Sequence, residues 1–109
     1  MADGGVWLRV ASASDLAAGE MKSLEVAGRG FALYHLDDDT WRASDALCTH
    51  ASAMLADGWL DGCVIECPLH GGRFDLNSGA GLGAPIETDL ALYPVRLEGD
   101  DVLVELPPG

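Results

Sequence analysis

Two short segments combine cysteine with histidine, side chains well suited to binding a transition metal. The first is Cys48-Thr49-His50 and the second is Cys67-Pro68-Leu69-His70, and sixteen residues, 51–66, separate them. Each segment offers one thiolate and one imidazole. A Cys₂His₂ set of this kind fits either tetrahedral zinc or an iron–sulfur centre. The four cysteine and histidine side chains are therefore the candidate metal ligands.

The division of the ligands between the two segments favours the iron–sulfur centre. Structural zinc sites usually keep cysteine with cysteine and histidine with histidine, as C-x₂₋₄-C followed by H-x₃₋₅-H. Here each segment is mixed, C-x-H and C-x₂-H. Two mixed loops that clasp a [2Fe–2S] rhomb from opposite sides would give one iron both cysteines and the other both histidines, which is the ligand division of Rieske centres. Zinc, a Cys–His nucleophile pair and four unrelated core and surface side chains stay as the alternatives.

The rest of the chain shows short strand patterns that are separated by Gly- and Asp-rich turns. Strands are predicted at 6–10, 24–27, 31–36, 40–42, 92–97 and 102–106, with a turn at 28–30 and one short helical segment at 14–18. Between the two Cys/His segments lies a predicted hairpin of 59–61 with 63–66. This pattern favours an all-β sandwich or small barrel, in which the hairpin brings the two metal-binding loops face to face.

Composition limits the function classes. The 109 residues include 18 acidic and 6 basic side chains, a formal charge of −12, and 49% of them are hydrophobic. We expect one folded domain that is repelled by nucleic acid and by anionic membranes. The sequence shows no signal-peptide pattern and no run of about 18 apolar residues, and three cysteines argue against a disulfide framework. A cytoplasmic protein with reduced thiols is therefore expected.

The histidine count excludes a catalytic oxygenase. Non-haem iron oxygenases use two histidines and a carboxylate, and with His50 and His70 committed only His35 is left. No G-x-G-x-x-G motif lies between a strand and a helix, so flavin and nicotinamide sites are not expected. We expect one redox centre and no catalytic site. His35, the thiol Cys63 and the three tryptophans Trp7, Trp41 and Trp59 are expected to be non-ligands, with the tryptophans packing in the core or at the cluster base.

The sequence resembles the Rieske-type ferredoxins that serve bacterial multicomponent aromatic-ring dioxygenases. The resemblance is carried by Trp-Leu-Arg-Val at 7–10, by the run 60–75 around Cys67-Pro68-Leu69-His70, and by 93–100. It implies one [2Fe–2S] cluster whose buried iron is held by Cys48 and Cys67 and whose outer iron is held by His50 and His70. It also implies an antiparallel β sandwich, 1–44 with 86–109, and a cluster-binding subdomain, 45–85, with a covering proline loop at Gly83-Ala84-Pro85.

The same resemblance implies a function and partners. The chain would be a monomeric one-electron carrier between an NAD(P)H-dependent flavin reductase and a terminal ring-hydroxylating oxygenase. The alternatives are a Rieske-like small subunit of another reductase, such as the nitrite type, and a zinc-stabilised binding module. The segments 49–56, 68–72 and 79–86 contain no charged residue apart from histidine, so we expect an uncharged patch around the outer ligands within an acidic surround.

Departures from high-potential Rieske proteins predict a low reduction potential. The cysteines that form a disulfide between the cluster loops of respiratory relatives correspond to Ala53 and Leu69 here, and the Ser and Tyr hydroxyls near their cluster correspond to Gly72 and Phe74. Fewer hydrogen bonds to sulfur stabilise the added electron less. We predict a midpoint near the low end of the Rieske span, roughly −150 mV. A clearly positive midpoint in a redox titration would contradict this.

Overall fold

The computed structural model describes residues 6–26, 28–49, 53–69, 71–83 and 88–106. These residues form ten antiparallel strands, so the all-β prediction is confirmed. The strands are Val6–Ser12 (β1), Glu20–Val26 (β2), Arg29–His35 (β3), Trp41–Asp45 (β4), Trp59–Asp61 (β5), Val64–Glu66 (β6), Arg73–Asp75 (β7), Leu92–Tyr93 (β8), Val95–Glu98 (β9) and Asp101–Leu106 (β10). In the described residues no helix is long and apolar enough to cross a bilayer.

Three sheets are built from these strands, in the orders β1-β10-β9, β2-β3-β4-β8 and β5-β6-β7. Strand β3 is buried on both faces because its alternate side chains enter two different cores. Phe31 and Leu33 pack in a core with Val102 of β10, whereas Tyr34 packs in a second core with Phe74 of β7. The continuous apolar run of β3 is therefore that of a central strand, not of a strand with one solvent-exposed face.

The third sheet is inserted in the chain between β4 and β8. Its strands β5 and β6 lie between the two metal-binding segments, and β7 follows the second segment. Strand β5 pairs with β6 through Leu60 and Ile65, and β6 pairs with β7 through Ile65 and Phe74. Gly62, with φ of +59°, makes the turn between β5 and β6. The predicted hairpin is therefore confirmed, and β7 is a third strand that sequence reasoning missed because Arg-Phe-Asp is too short to show alternation.

Three local predictions differ from the structure. Strand β2 begins at Glu20, before its predicted start at 24, because its pairing with β3 continues through polar residues. Strand β3 begins at Arg29, so the turn is shorter than the predicted turn at 28–30. Pro94 divides the predicted strand 92–97 into β8 and β9, since proline cannot donate to a strand ladder. The predicted helical segment 14–18 is instead a 3₁₀ turn, Ala13–Asp15, in which the Asp15 carboxylate accepts from the Ser12 N–H.

Candidate metal centre

The first metal-binding loop leaves β4 and turns back at Cys48. The Cys48 N–H donates to the carbonyl of Ala53 (2.9 Å), and Leu47 pairs with Met54 in an isolated antiparallel bridge. These bonds close the loop on itself. The Cys48 side chain is buried, with 5% of the residue exposed. The next residue is tied elsewhere, since the Thr49 hydroxyl donates to the carbonyl of Thr88 (2.7 Å), so the loop is also anchored to the segment that follows the predicted proline loop.

The second loop connects β6 to β7 and is closed in the same way. The Cys67 N–H donates to the carbonyl of Gly72 (2.7 Å), and Gly71 takes the left-handed conformation, with φ of +69°, that the reversal requires. Cys67 itself is fully buried. The Leu69 N–H points back at the Cys67 sulfur, 3.5 Å away, which is a hydrogen bond suited to stabilising a thiolate.

Gly58 lets the start of β5 pack directly on the second loop. A Cβ placed on Gly58 would overlap the carbonyl oxygen of Glu66 and lie 3.1 Å from the Pro68 ring. Both atoms belong to the chain on either side of Cys67. A glycine is therefore needed at this position, because the obstacle is backbone and cannot rotate away.

The two cysteine side chains are buried in one core, and their thiols lie close enough to interact. Burial raises the pKa of the Cys67 thiol; the Leu69 N–H opposes this increase, and the adjacent Cys48 thiol adds to it. The buried Cys67 thiol thus resists becoming a thiolate unless a cation compensates its charge. A metal centre does this by displacing both protons. The observed pair fits the cysteine-bound iron of a [2Fe–2S] cluster.

Cys48 and Cys67 are the predicted ligands that the structure describes and brings together. His50 and His70 lie outside the described residues, as do Ala84 and Pro85 of the predicted proline loop. Within the described parts of the chain no group of three or more cysteine, histidine or acidic residues is gathered to bind a metal. The assignment of the two histidines therefore stays a prediction from the sequence. None of the three cysteines forms a disulfide with another described residue.

Exposed apolar side chains surround the two loops. Leu47, Met54, Leu69 and Leu82 expose between 36% and 50% of their surface, and each lies on or beside a cluster-binding loop. We call these four residues the apolar rim. Met54 is one of these exposed residues, whereas its neighbour Leu55 is fully buried and anchors the first loop in the core. An exposed apolar group of this kind is typical of a protein-interaction surface.

His35 has a structural role away from the loops. Its ring stacks on Trp41, with ring centroids 4.0 Å apart and an angle of 13° between the planes. Its Nδ1 donates to the carbonyl of Leu16 (2.8 Å), and its Nε2 lies 2.6 Å from an Asp39 carboxylate oxygen. One ring nitrogen therefore holds the segment before β2, and the other holds the turn after β3. His35 is thus a buried, packed histidine.

Replacing His35 with phenylalanine should reduce stability without affecting the redox centre. Phenylalanine keeps a ring against Trp41 but leaves the buried Leu16 carbonyl unpaired, which should lower the free energy of unfolding by about 2 kcal/mol. Denaturant unfolding measures the loss. The visible spectrum and midpoint potential should match those of the wild type, and a shifted spectrum would contradict the role assigned to this histidine.

The other predicted non-ligands divide into buried and exposed residues. Trp41 packs in the core between the first two sheets, as expected, and Cys63 is half-buried against the core that contains Cys48. Trp59 is different, because 59% of it is exposed. The expectation that Trp59 packs in the core or at the cluster base is therefore wrong: it lies on the outward face of a short strand.

Comparisons with known proteins agree with this geometry. The model of the Rieske [2Fe-2S] domain matches residues 6–94. The ferredoxin component of the naphthalene 1,2-dioxygenase system of Pseudomonas putida is 41% identical over 100 residues, which cover 92% of this chain and 95% of that protein. Among solved structures, the Sphingomonas yanoikuyae B1 ferredoxin has a TM-score of 0.85 at 36% identity, covering 94% of this chain and all of that one. The complex of reduced oxygenase and oxidized ferredoxin in carbazole 1,9a-dioxygenase contains a chain with a TM-score of 0.86 at 34% identity, covering 96% of this chain and 97% of that one.

Similarity to nitrite reductase small subunits concerns the fold alone. A chain described as a putative NADH-dependent nitrite reductase small subunit from Mycobacterium tuberculosis has a TM-score of 0.85 but only 20% identity. The higher identity to dioxygenase ferredoxins confirms an electron-carrier component instead of a catalytic subunit, and the domain match supports one [2Fe–2S] cluster over zinc. Two buried thiols on facing loops, in a β fold that matches over most of its length, place this chain in the Rieske [2Fe-2S] domain family.

Proposed function

We propose that this chain is the one-electron carrier of an aromatic-ring dioxygenase system, taking electrons from an NAD(P)H-dependent flavin reductase and delivering them to the terminal oxygenase. The observation that carries the proposal is the pair of buried thiols, Cys48 and Cys67, that meet beneath an exposed apolar rim. The named relatives that it resembles are ferredoxin components of such systems, and one similar structure is of a ferredoxin with an oxygenase. We expect it to act as a monomer in the cytoplasm.

The ligand set of the proposal has two parts. Cys48 and Cys67 would hold the inner iron, and His50 and His70 the outer iron. The closed loops support the first part, since each cysteine is fixed by its own N–H bond to a carbonyl across the loop. The second part rests on the spacing of the histidines in the sequence. When bound, the cluster supplies a single electron at a potential that we place near the low end of the Rieske span.

The protein residues perform three tasks in this mechanism. The core containing Tyr34, Ile65 and Phe74 excludes water from the inner side of the cysteine pair. The Leu69 N–H stabilises negative charge on the Cys67 sulfur. Phe74 is fully buried and has no hydroxyl, so at this position no further hydrogen bond strengthens the electron affinity of the centre, in agreement with the low potential proposed.

Charge arithmetic fits a shuttle. The two thiolates would cancel the charge of the oxidised [2Fe–2S] core, and neutral imidazoles would add none. The site would therefore be about neutral when oxidised and about −1 when reduced. A change of one charge in a protein of formal charge −12 alters the long-range field little. Docking affinity can therefore remain similar in the two states, which allows the carrier to leave after each transfer.

We also propose that the chain divides by role. The basal sandwich would be 1–44 with 86–109, and the cluster-binding subdomain 45–85. The insertion of the β5-β6-β7 sheet between β4 and β8 supports this division. The Thr49 hydroxyl bond to the Thr88 carbonyl connects the two parts at the cluster end.

Electron transfer to an oxygenase tests the proposed function. The iron-loaded protein should be reduced by a flavin reductase and NADH, and should then support substrate hydroxylation by the terminal oxygenase of the Pseudomonas putida naphthalene system. Product formation measured with and without this chain is the readout. A protein that carries iron and sulfide, accepts one electron and yet supports no turnover would contradict the proposal.

A further inference from the structure

The outer face of the β5-β6-β7 sheet carries a row of three side chains beside the cluster end. Trp59 of β5, Glu66 of β6 and Arg73 of β7 are direct cross-strand neighbours. The adjacent row, Leu60, Ile65 and Phe74, faces the core. Because side chains alternate along a strand, the first row points outward. We call Trp59, Glu66 and Arg73 the outer strip.

Trp59 is unusual among the aromatic side chains. Phe31, Tyr34, Trp41 and Phe74 are all buried, whereas Trp59 is 59% exposed. No hydrogen bond connects its indole to another described residue. Exposing so large an apolar ring is unfavourable in the free protein. Tryptophan is enriched at the energetic centres of protein interfaces, where its ring fills a recess on the partner.

Arg73 is equally unusual among the cations. It is the only basic residue between Arg42 and Arg96. It is exposed, and with the described residues it makes no ion pair and no side-chain hydrogen bond. The other four arginines are all engaged: Arg9 with Asp101, Arg29 with Tyr93, Arg42 with Asn77 and Arg96 with Glu98.

The acidic neighbour of Arg73 does not neutralise it. Glu66 lies opposite Arg73 in the sheet, but no ion pair within 4.0 Å joins them. A carboxylate oxygen of Glu66 lies 3.7 Å from the position of a Cβ on Gly71 instead, towards the second cluster loop. The guanidinium is therefore available to a carboxylate from another molecule, for which its fork of N–H donors is well shaped.

The outer strip is continuous with the apolar rim. Arg73 directly follows the second cluster loop, and its carbonyl accepts the N–H of Leu82, a rim residue (2.9 Å). Glu66 directly precedes Cys67. A protein that covers the rim therefore meets Trp59 and Arg73 at the same edge.

We propose that the outer strip orients the terminal oxygenase on this carrier, with Arg73 pairing with a carboxylate of the oxygenase and Trp59 filling an apolar recess beside it. This inference rests on the proposed function and adds the residues that fix the docking geometry. Arg73 is an isolated cation on a strongly acidic protein, so it pairs with a partner only where that partner places a carboxylate opposite it. The strip thus gives orientation, while the rim gives close contact.

The test compares each variant of the outer strip with a matched substitution in the β1-β10-β9 sheet. Arg73→Gln is paired with Arg96→Gln, which alters the net charge equally, and Trp59→Thr is paired with Leu97→Thr, which removes an apolar side chain that is 45% exposed. Each iron-loaded protein is reduced with dithionite and mixed with the oxidised terminal oxygenase of the Pseudomonas putida naphthalene system. The dependence of the transfer rate on oxygenase concentration gives the apparent Kd.

Both strip variants should raise the apparent Kd about tenfold, and both controls should stay within about twofold of the wild type. Unchanged visible spectra and midpoint potentials establish that the centre is intact. Strip variants that bind like the wild type would overturn the inference. So would an equal loss in Arg96→Gln, because net charge would then explain the effect. Failure of the wild type to transfer electrons at all would overturn the proposed function and this inference with it.

Discussion

Cys67→Ser protein is expected to be purified without its iron–sulfur centre. Serine has nearly the same shape as cysteine, but its hydroxyl does not ionise to give a ligand for iron as a thiol does. The position is fully buried, so no side chain or solvent molecule at the surface can take the place of the lost ligand. Iron and acid-labile sulfide should fall to a few per cent of the wild-type content, about a twentyfold loss or more. Metal analysis and the visible spectrum measure this.

Cys63→Ser is the matched control for that loss. Cys63 is half-buried, lies four positions before Cys67 and packs against the same core, so the chemical change is identical. It should retain full iron and sulfide and a wild-type spectrum. The ligand assignment would be contradicted if Cys67→Ser kept its iron and spectrum, or if Cys63→Ser lost them. Stoichiometric zinc in the wild-type protein in place of iron would contradict the cluster itself.

Gly58→Ala should both destabilise the fold and lower cluster occupancy. The added methyl would overlap the carbonyl oxygen of Glu66, so either β5 or the start of the second loop must move. Overpacking against backbone of this kind costs about 3 kcal/mol of unfolding free energy. The displaced segment leads directly into Cys67, so iron content should fall together with stability. Denaturant unfolding and metal analysis on the same samples measure both effects.

Gly62→Ala separates this steric effect from the general cost of replacing glycine. Gly62 is in the same hairpin, has φ of +59°, and has no atom within 4 Å of an added Cβ. Its substitution should cost only the strain of a left-handed alanine, about 1 kcal/mol, with full iron content. Equal stability of the Gly58 and Gly62 variants would show that the contact with Glu66 does not constrain the loop.

The sequence predicted much of the fold because its signals are local. Alternation and turn residues predicted β1, β10 and the β5-β6 hairpin, and these are where the structure has them. Predictions failed where a partner strand decides the outcome. Glu20–Val26 is extended by pairing with β3 along its whole length, and the three residues of β7 pair with β6 although their own pattern is too short to indicate a strand.

The candidate site, like the fold, was predictable from the sequence only in part. Ligand chemistry depends on residue type and short spacing, so C-x-H and C-x₂-H favour an iron–sulfur centre and predict four ligands for it. The match to the Rieske [2Fe-2S] domain confirms the kind of centre, and the four ligands stay a prediction. Two of those ligands, Cys48 and Cys67, are buried together in the structure. Sequence spacing gives no measure of that burial, because the core enclosing them is assembled from β3, β6 and β7.

By itself, then, the sequence determined the kind of centre and predicted its ligands: two cysteines and two histidines on short loops. Only the tertiary structure decided that Trp59 faces outward, that Arg73 has no described partner, and that Gly58 must have no side chain. Each of these depends on contacts across strands. Gly58 and Glu66 are eight positions apart in the sequence, yet a hairpin places one directly on the other. Residue type alone cannot reveal such a contact, because the paired strand decides whether the space beside a residue is filled or empty.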